Sequence, residues 1–135
     1  MAEVTSNAYD LIKYHIQSNW NRVRIYDNNG KQIVTYLTSH QNVNWIHPTK
    51  QFMVDRDAFN NPINVDIADG NVMQLEIKIK GEDISNKLPV TFAKSVIEQD
   101  KTGHVLSEEE FAPFEMTQDE DEITIIHNIE VPKVD

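Results

Sequence analysis

Apolar and polar residues alternate strictly along Val72–Lys80. Met73, Leu75, Ile77 and Ile79 fall on one side of an extended chain, and Gln74, Glu76, Lys78 and Lys80 on the other. That is the period-two pattern of a strand with one dry and one wet face. Ile63–Ile67 alternates in the same sense, with Ala68-Asp69-Gly70-Asn71 between the two runs. Asp-Gly in such a place signals a hairpin, because both residues tolerate the positive φ of a type I′ turn. The pattern therefore predicts a hairpin over Ile63–Lys80 at the centre of a β-rich domain. Its dry face needs a second sheet to cover it. Glu122–Val131, with Ile123, Ile125, His127, Ile129 and Val131 on one side, is the best supplier, and Pro132 ends it.

Helical spacing occurs in one stretch, Asn7–Gln17, where Ala8, Leu11, Ile12, His15 and Ile16 form a stripe that should face the core. Ser6 or Asn7 can cap it. Arg22–Asp27 and Lys31–Thr38 flank Asn28-Asn29-Gly30, a second hairpin with positive φ expected at both central positions. The middle of its second strand is apolar on both sides, which suggests a central strand. Short alternating runs follow at Asn42–Ile46 and Gln51–Asp55, then a loop over Arg56–Pro62. Gly81–Asn86 reads as a loop and Leu88–Ala93 as a strand. Ser107–Glu110 has capping-box spacing and predicts a helical turn ending by Pro113, and Phe114–Thr117 predicts a brief strand. About eight short strands, turns every 8–12 residues and one short N-terminal helix (about 7–17) indicate a mainly β chain. The expected architecture is a single-domain antiparallel β-sandwich or open barrel spanning 1–135, with acidic loops over about 98–122.

The length of 135 residues suits one domain. The chain has no Cys, which excludes disulfides, zinc-thiolate sites and thiol catalysis. No signal peptide and no run of 18 apolar residues is present, so the chain is expected to be soluble, without a membrane partner, and cytoplasmic or virion-associated. Net charge is −10, concentrated in the second half, which makes direct binding to nucleic acid an unfavourable expectation.

Catalytic motifs are absent from the pattern. The histidines His15, His40, His47, His104 and His127 are scattered without metal-ligand spacing. His127 reads as a hydrogen-bonded core residue. Asp55/Asp57 and Asp66/Asp69/Asn71 offer oxygens but do not match a calcium loop. Neither a Gly-x-Ser-x-Gly elbow nor a phosphate loop is found, and each of the four glycines reads as a turn residue. No cofactor, metal or catalytic residue is assigned, and the chain reads as non-enzymatic.

Two surfaces remain. Aromatics gather in the first 60 residues, with Trp20, Tyr26, Tyr36 and Trp45 as candidate anchors. Ten Asp/Glu against one Lys lie between Glu98 and Glu122, and Glu108, Glu109, Glu110, Asp119, Glu120, Asp121 and Glu122 are the candidate acidic contacts. The expected function is that of a structural or assembly protein acting through protein–protein contacts as a homo- or hetero-oligomer, for instance a bacteriophage particle subunit. The alternatives are a carbohydrate-binding or adhesion module using the aromatics, and an acidic nucleic-acid mimic that inhibits a DNA-binding partner.

Overall fold

The computed structural model describes residues 2–131; Pro132 lies outside them. One helix, α1 (Ser6–Asn19), precedes nine strands: β1 (Arg22–Asp27), β2 (Gln32–Leu37), β3 (Val43–Trp45), β4 (Thr49–Arg56), β5 (Pro62–Ala68), β6 (Val72–Lys80), β7 (Val90–Glu98), β8 (Val105–Met116) and β9 (Glu122–Glu130). A 3-10 turn over Gly81–Lys87 links β6 to β7 where a loop was expected, and buried Ile84 anchors it.

Two antiparallel sheets, β2-β1-β7-β8 and β3-β6-β9, face each other, and β4 and β5 form a separate two-stranded ribbon. The expected mainly β, antiparallel architecture is present, and no sheet closes into a barrel. The alternation of β6 is obeyed in full: Met73, Leu75, Ile77 and Ile79 have no exposure, while Lys78 and Lys80 lie in solvent. Opposite them, Val23, Ile25, Ile33, Phe92 and Ile97 fill the other half of one core.

Several expectations are corrected. β5 does not pair with β6. It pairs with β4, from Thr49↔Ala68 to Arg56↔Pro62. Gly70 has φ +124, outside the αL region that a type I′ turn uses. The chain turns a corner between sheets there, with Asp69 N–H donating to Pro48 C=O at 2.8 Å and Val131 N–H to Asn71 C=O at 2.7 Å. β9 does not cover β6 from a facing sheet. It is the neighbour of β6, in register from Val72↔Glu130 to Lys80↔Glu122, and both dry faces are covered by the β1–β7 side. β2 is an edge strand, not a central one.

The Asn28-Asn29-Gly30 turn has positive φ at Gly30 alone. Gly30 N–H donates to Asp27 C=O at 3.2 Å and Asp27 N–H to Lys31 C=O at 2.8 Å, a type I turn followed by an αL residue and a bulge. The β4–β5 turn repeats the device with Asn60 at φ 64. In both turns the first aspartate, Asp27 or Asp57, accepts two backbone N–H bonds on Oδ1. These bonds, led by that from Asn61, hold the Asp57 carboxyl below the usual carboxylate range.

Ser107–Glu110 is not helical, and 98–122 is not a set of loops. About half of that segment is β8, a strand of 12 residues. Pairing with β7 overrides the local capping-box preference, and the Ser107 hydroxyl is used elsewhere. Gly81 serves a close approach, since a Cβ there would lie 2.2 Å from the Gln118 carbonyl oxygen.

Candidate functional site

Helix α1 is rotated from the face that its apolar stripe predicts. Asp10, Lys13 and Ile16 are buried, whereas Leu11 and Ile12 are 51% and 43% exposed. The cause is a polar clamp. Lys13 Nζ donates to the carbonyls of Ala68 and Gly70, both at 2.9 Å, and pairs with Asp10 at 3.0 Å. Lys50 Nζ of β4 bonds the other Asp10 oxygen at 3.2 Å. Burial works against the Asp10 carboxylate, but the bonds from Lys13 and Lys50 outweigh it and hold its pKa below the ordinary value. Gln17 Nε2 adds a bond to Asp66 C=O at 2.6 Å. The clamp thus grips the corner where β5 leaves the sandwich. Thr5, one residue before the expected caps, starts the helix by accepting from Ala8 N–H.

Beyond that corner, β4 and β5 pair with each other, and of the other elements α1 makes the main contact. Eight residues of β4 at about 3.3 Å each give an arm roughly 25 Å long. Its apolar face runs outward from Ile67, fully buried beside the clamp, through half-buried Val65 and Phe52 to Ile63, 42% exposed. Met53, on the opposite face, is 45% exposed, and Phe59 at the tip is 86% exposed. The apolar side chains of the arm thus pass from full burial at Ile67 to open solvent at Phe59.

The candidate aromatics do not form one platform. Tyr36 is buried in the core, and burial raises its hydroxyl pKa. Trp20 and Trp45 are half-buried and pack against the same core. Tyr26 lies on the outer face of the β1–β7 sheet, beneath Lys94 Nζ at 5.2 Å from its ring centroid. The acidic residues are dispersed as well. Glu109 accepts from Asn128 N–H at 2.6 Å and from Asn128 Nδ2 at 3.2 Å, occupying the free edge of β9. Asp121 caps the β8–β9 turn by accepting from Thr117 and Gln118 N–H. Glu108 and Glu110 stand exposed on β8 beside Val96 and Lys94 of β7, and Asp119, Glu120 and Glu122 are exposed near the turn.

His127 is fully buried. Ser95 Oγ bonds its Nδ1 and Ser107 Oγ its Nε2, each at 2.7 Å, so the ring ties β9 to β7 and β8 across the sandwich. A neutral imidazole has one donor and one acceptor nitrogen, so one serine accepts and the other donates. Burial lowers its pKa, with the Glu109 charge opposing. His47, also buried, accepts from Gln74 N–H at 3.1 Å on Nδ1, and burial and Lys13 lower its pKa. Two open, polar clefts of about 510 and 440 Å³ share Asp27 and Asn28 at the β1–β2 turn. None of the four candidate aromatics lines either cleft. Among the described residues no group of three His, Asp or Glu stands close enough to hold a metal ion.

No known family model, curated protein or solved structure matches the chain. The arm is the feature that sequence reasoning missed. Its signal was present in the even alternation of Gln51–Asp55 and Ile63–Ile67 around a turn opening on Asp57, but the Asp-Gly at Asp69–Gly70 drew β5 toward the wrong partner.

Proposed function

We propose that this chain is a structural subunit that works through protein–protein contacts in a larger particle, such as a bacteriophage virion, and performs no catalysis. The observation that carries this reading is the arm. Outward of buried Ile67 and Ala68, its two strands and apolar tip bury little within the chain, so the ordering of some twenty residues is only partly offset by packing. A helix that turns Leu11 and Ile12 outward beside the same clamp extends the apolar surface. Contact with a neighbouring subunit covers such groups and gives the clamp its purpose, which is to fix the arm's direction relative to the sandwich.

The test is photo-crosslinking in the cell that makes the protein. A benzophenone side chain replacing Phe59 is expected to yield one adduct of discrete mass, and the same probe replacing Lys78 none. If position 59 traps nothing above the Lys78 background, the reading fails.

A further inference from the structure

The outer face of the β2-β1-β7-β8 sheet is ruled into charge stripes by its registers. Arg24 of β1 lies beside Val96 of β7, which lies beside Glu108 of β8. One row on, Tyr26 lies beside Lys94, and Lys94 beside Glu110. At the other end Arg22 lies beside Glu98, which lies beside Val105. Along β1 the stripe is basic. Along β8, two strand spacings or about 10 Å away, it is acidic.

The residues between are held in place. Buried Glu98 accepts from the Nε of both Arg22 and Arg24. Arg24 Nη1 also donates to Gln32 Oε1 at 2.9 Å. Val96 is buried although it lies outside the main core cluster, so the long side chains around it supply its cover. The two guanidinium groups share one carboxylate, which leaves the β1 stripe a net positive charge. Glu108 and Glu110 have no ion-pair partner among the described residues.

We infer that this face pairs with the same face of a second copy of the chain, about a two-fold axis running along β7. Rotation about that axis exchanges the sides of the sheet. The β1 stripe of each copy then lies over the β8 stripe of the other, setting Arg24 opposite Glu108 and bringing Tyr26 opposite Glu110. Face-to-face sheets keep their strands within about 30° of each other, which an axis along a strand allows. A two-fold axis across the strands would instead set β1 on β1, with like charges opposed. The charge pattern therefore selects both the occupant and the orientation. Lys94 meets its own copy on the axis, with the Glu110 carboxylates of both copies beside the pair. This pairing rests on the assembly reading above and names one of its contacts.

The absence of cysteine supplies the test. In Lys94→Cys the introduced thiol lies on the axis, so mild oxidation should join two copies, whereas Lys78→Cys on the opposite sheet should stay monomeric. Adding Glu108→Lys and Glu110→Lys to Lys94→Cys should slow dimer formation by roughly tenfold or more, as expected when close interfacial pairs are reversed. So should raising salt from about 0.1 to about 1 M, which shortens the screening length from about 10 to about 3 Å. Unchanged melting of the exposed Glu108/Glu110 variant confirms that its fold is intact; if that variant melts early, Glu108→Gln with Glu110→Gln takes its place, with a smaller slowing. Crosslinking through the thiol of Lys94→Cys no faster than in Lys78→Cys, or rates indifferent to charge and salt, overturns the pairing. A specific adduct at position 59 with no dimer through position 94 removes this pairing and leaves the assembly reading standing.

Discussion

Lys13→Met probes the clamp that sets the arm's direction. Methionine keeps the length of the stem and its packing but removes the ammonium. Two backbone carbonyls, Ala68 and Gly70, lose their donor, and Asp10, whose side chain is 10% exposed, loses a partner. Breaking a buried pair by removing one member costs about 3–5 kcal/mol. Lys50 stays on Asp10 and is itself 40% exposed, so the lower end, about 3 kcal/mol, is the expected loss. For a chain of this length that lowers Tm by roughly 10 °C. Urea unfolding gives the number, and hydrogen exchange locates it, with β5 amides near Ile67 and Ala68 exchanging faster and those of β6 changing little. Asp10→Asn should rescue part of the loss, because the stranded carboxylate is then absent; the coupling should be about 1–3 kcal/mol. A loss below about 0.5 kcal/mol, or strictly additive effects of the two substitutions, would refute the clamp as the source of the helix's orientation.

Ile77→Asp should abolish folding, since it places a carboxylate at a position with no exposure, whereas Lys78→Ala next to it should change unfolding free energy by no more than about 0.5 kcal/mol. His127→Ala should cost about 3–5 kcal/mol in urea unfolding, from the cavity and the stranded Ser95 hydroxyl, and Ser95→Ala made together with it should recover about 1 kcal/mol or more. Gly81→Ala should lower Tm measurably, because the Gln118 carbonyl 2.2 Å from the new Cβ is backbone and must move. Acid should weaken the wild type in a defined window. His47 and His127 both have folded pKa values below the unfolded 6.5, so the unfolded chain binds more protons. Stability is then full above about pH 6.5 and falls as pH drops below it, and His127→Leu should flatten that slope in a series of melts.

The strongest periodic segments were legible from sequence because one physical cause, burial of alternate side chains, acts on every residue of them. β6 and β9 are the cases, and His127 on the dry face of β9 is buried and hydrogen-bonded as expected. What the sequence concealed was decided by contacts between distant residues. The β5–β6 corner carries the local chemistry of a hairpin, but Lys13, more than fifty positions earlier, holds it open. The helix stripe misled because Asp10 and Lys13, themselves buried, found partners on β4 and at the corner, which let the polar side outcompete Leu11 and Ile12. Ser107–Glu110 looked like a capping box until β7 offered a ladder and His127 a partner for the serine. The candidate aromatics were visible by type, but type does not separate a core tyrosine such as Tyr36 from a surface one such as Tyr26.

The arm is proposed to join this chain to a neighbour. That contact is tested most directly by the size of the native species in gently lysed producing cells, comparing wild type with Phe59→Asp/Ile63→Asp. Wild type should elute well above its monomer mass of 15.6 kDa, and the variant should melt at the same temperature but elute in a smaller species. A wild type that elutes as a monomer, or a variant that stays in the large species, would contradict the proposal.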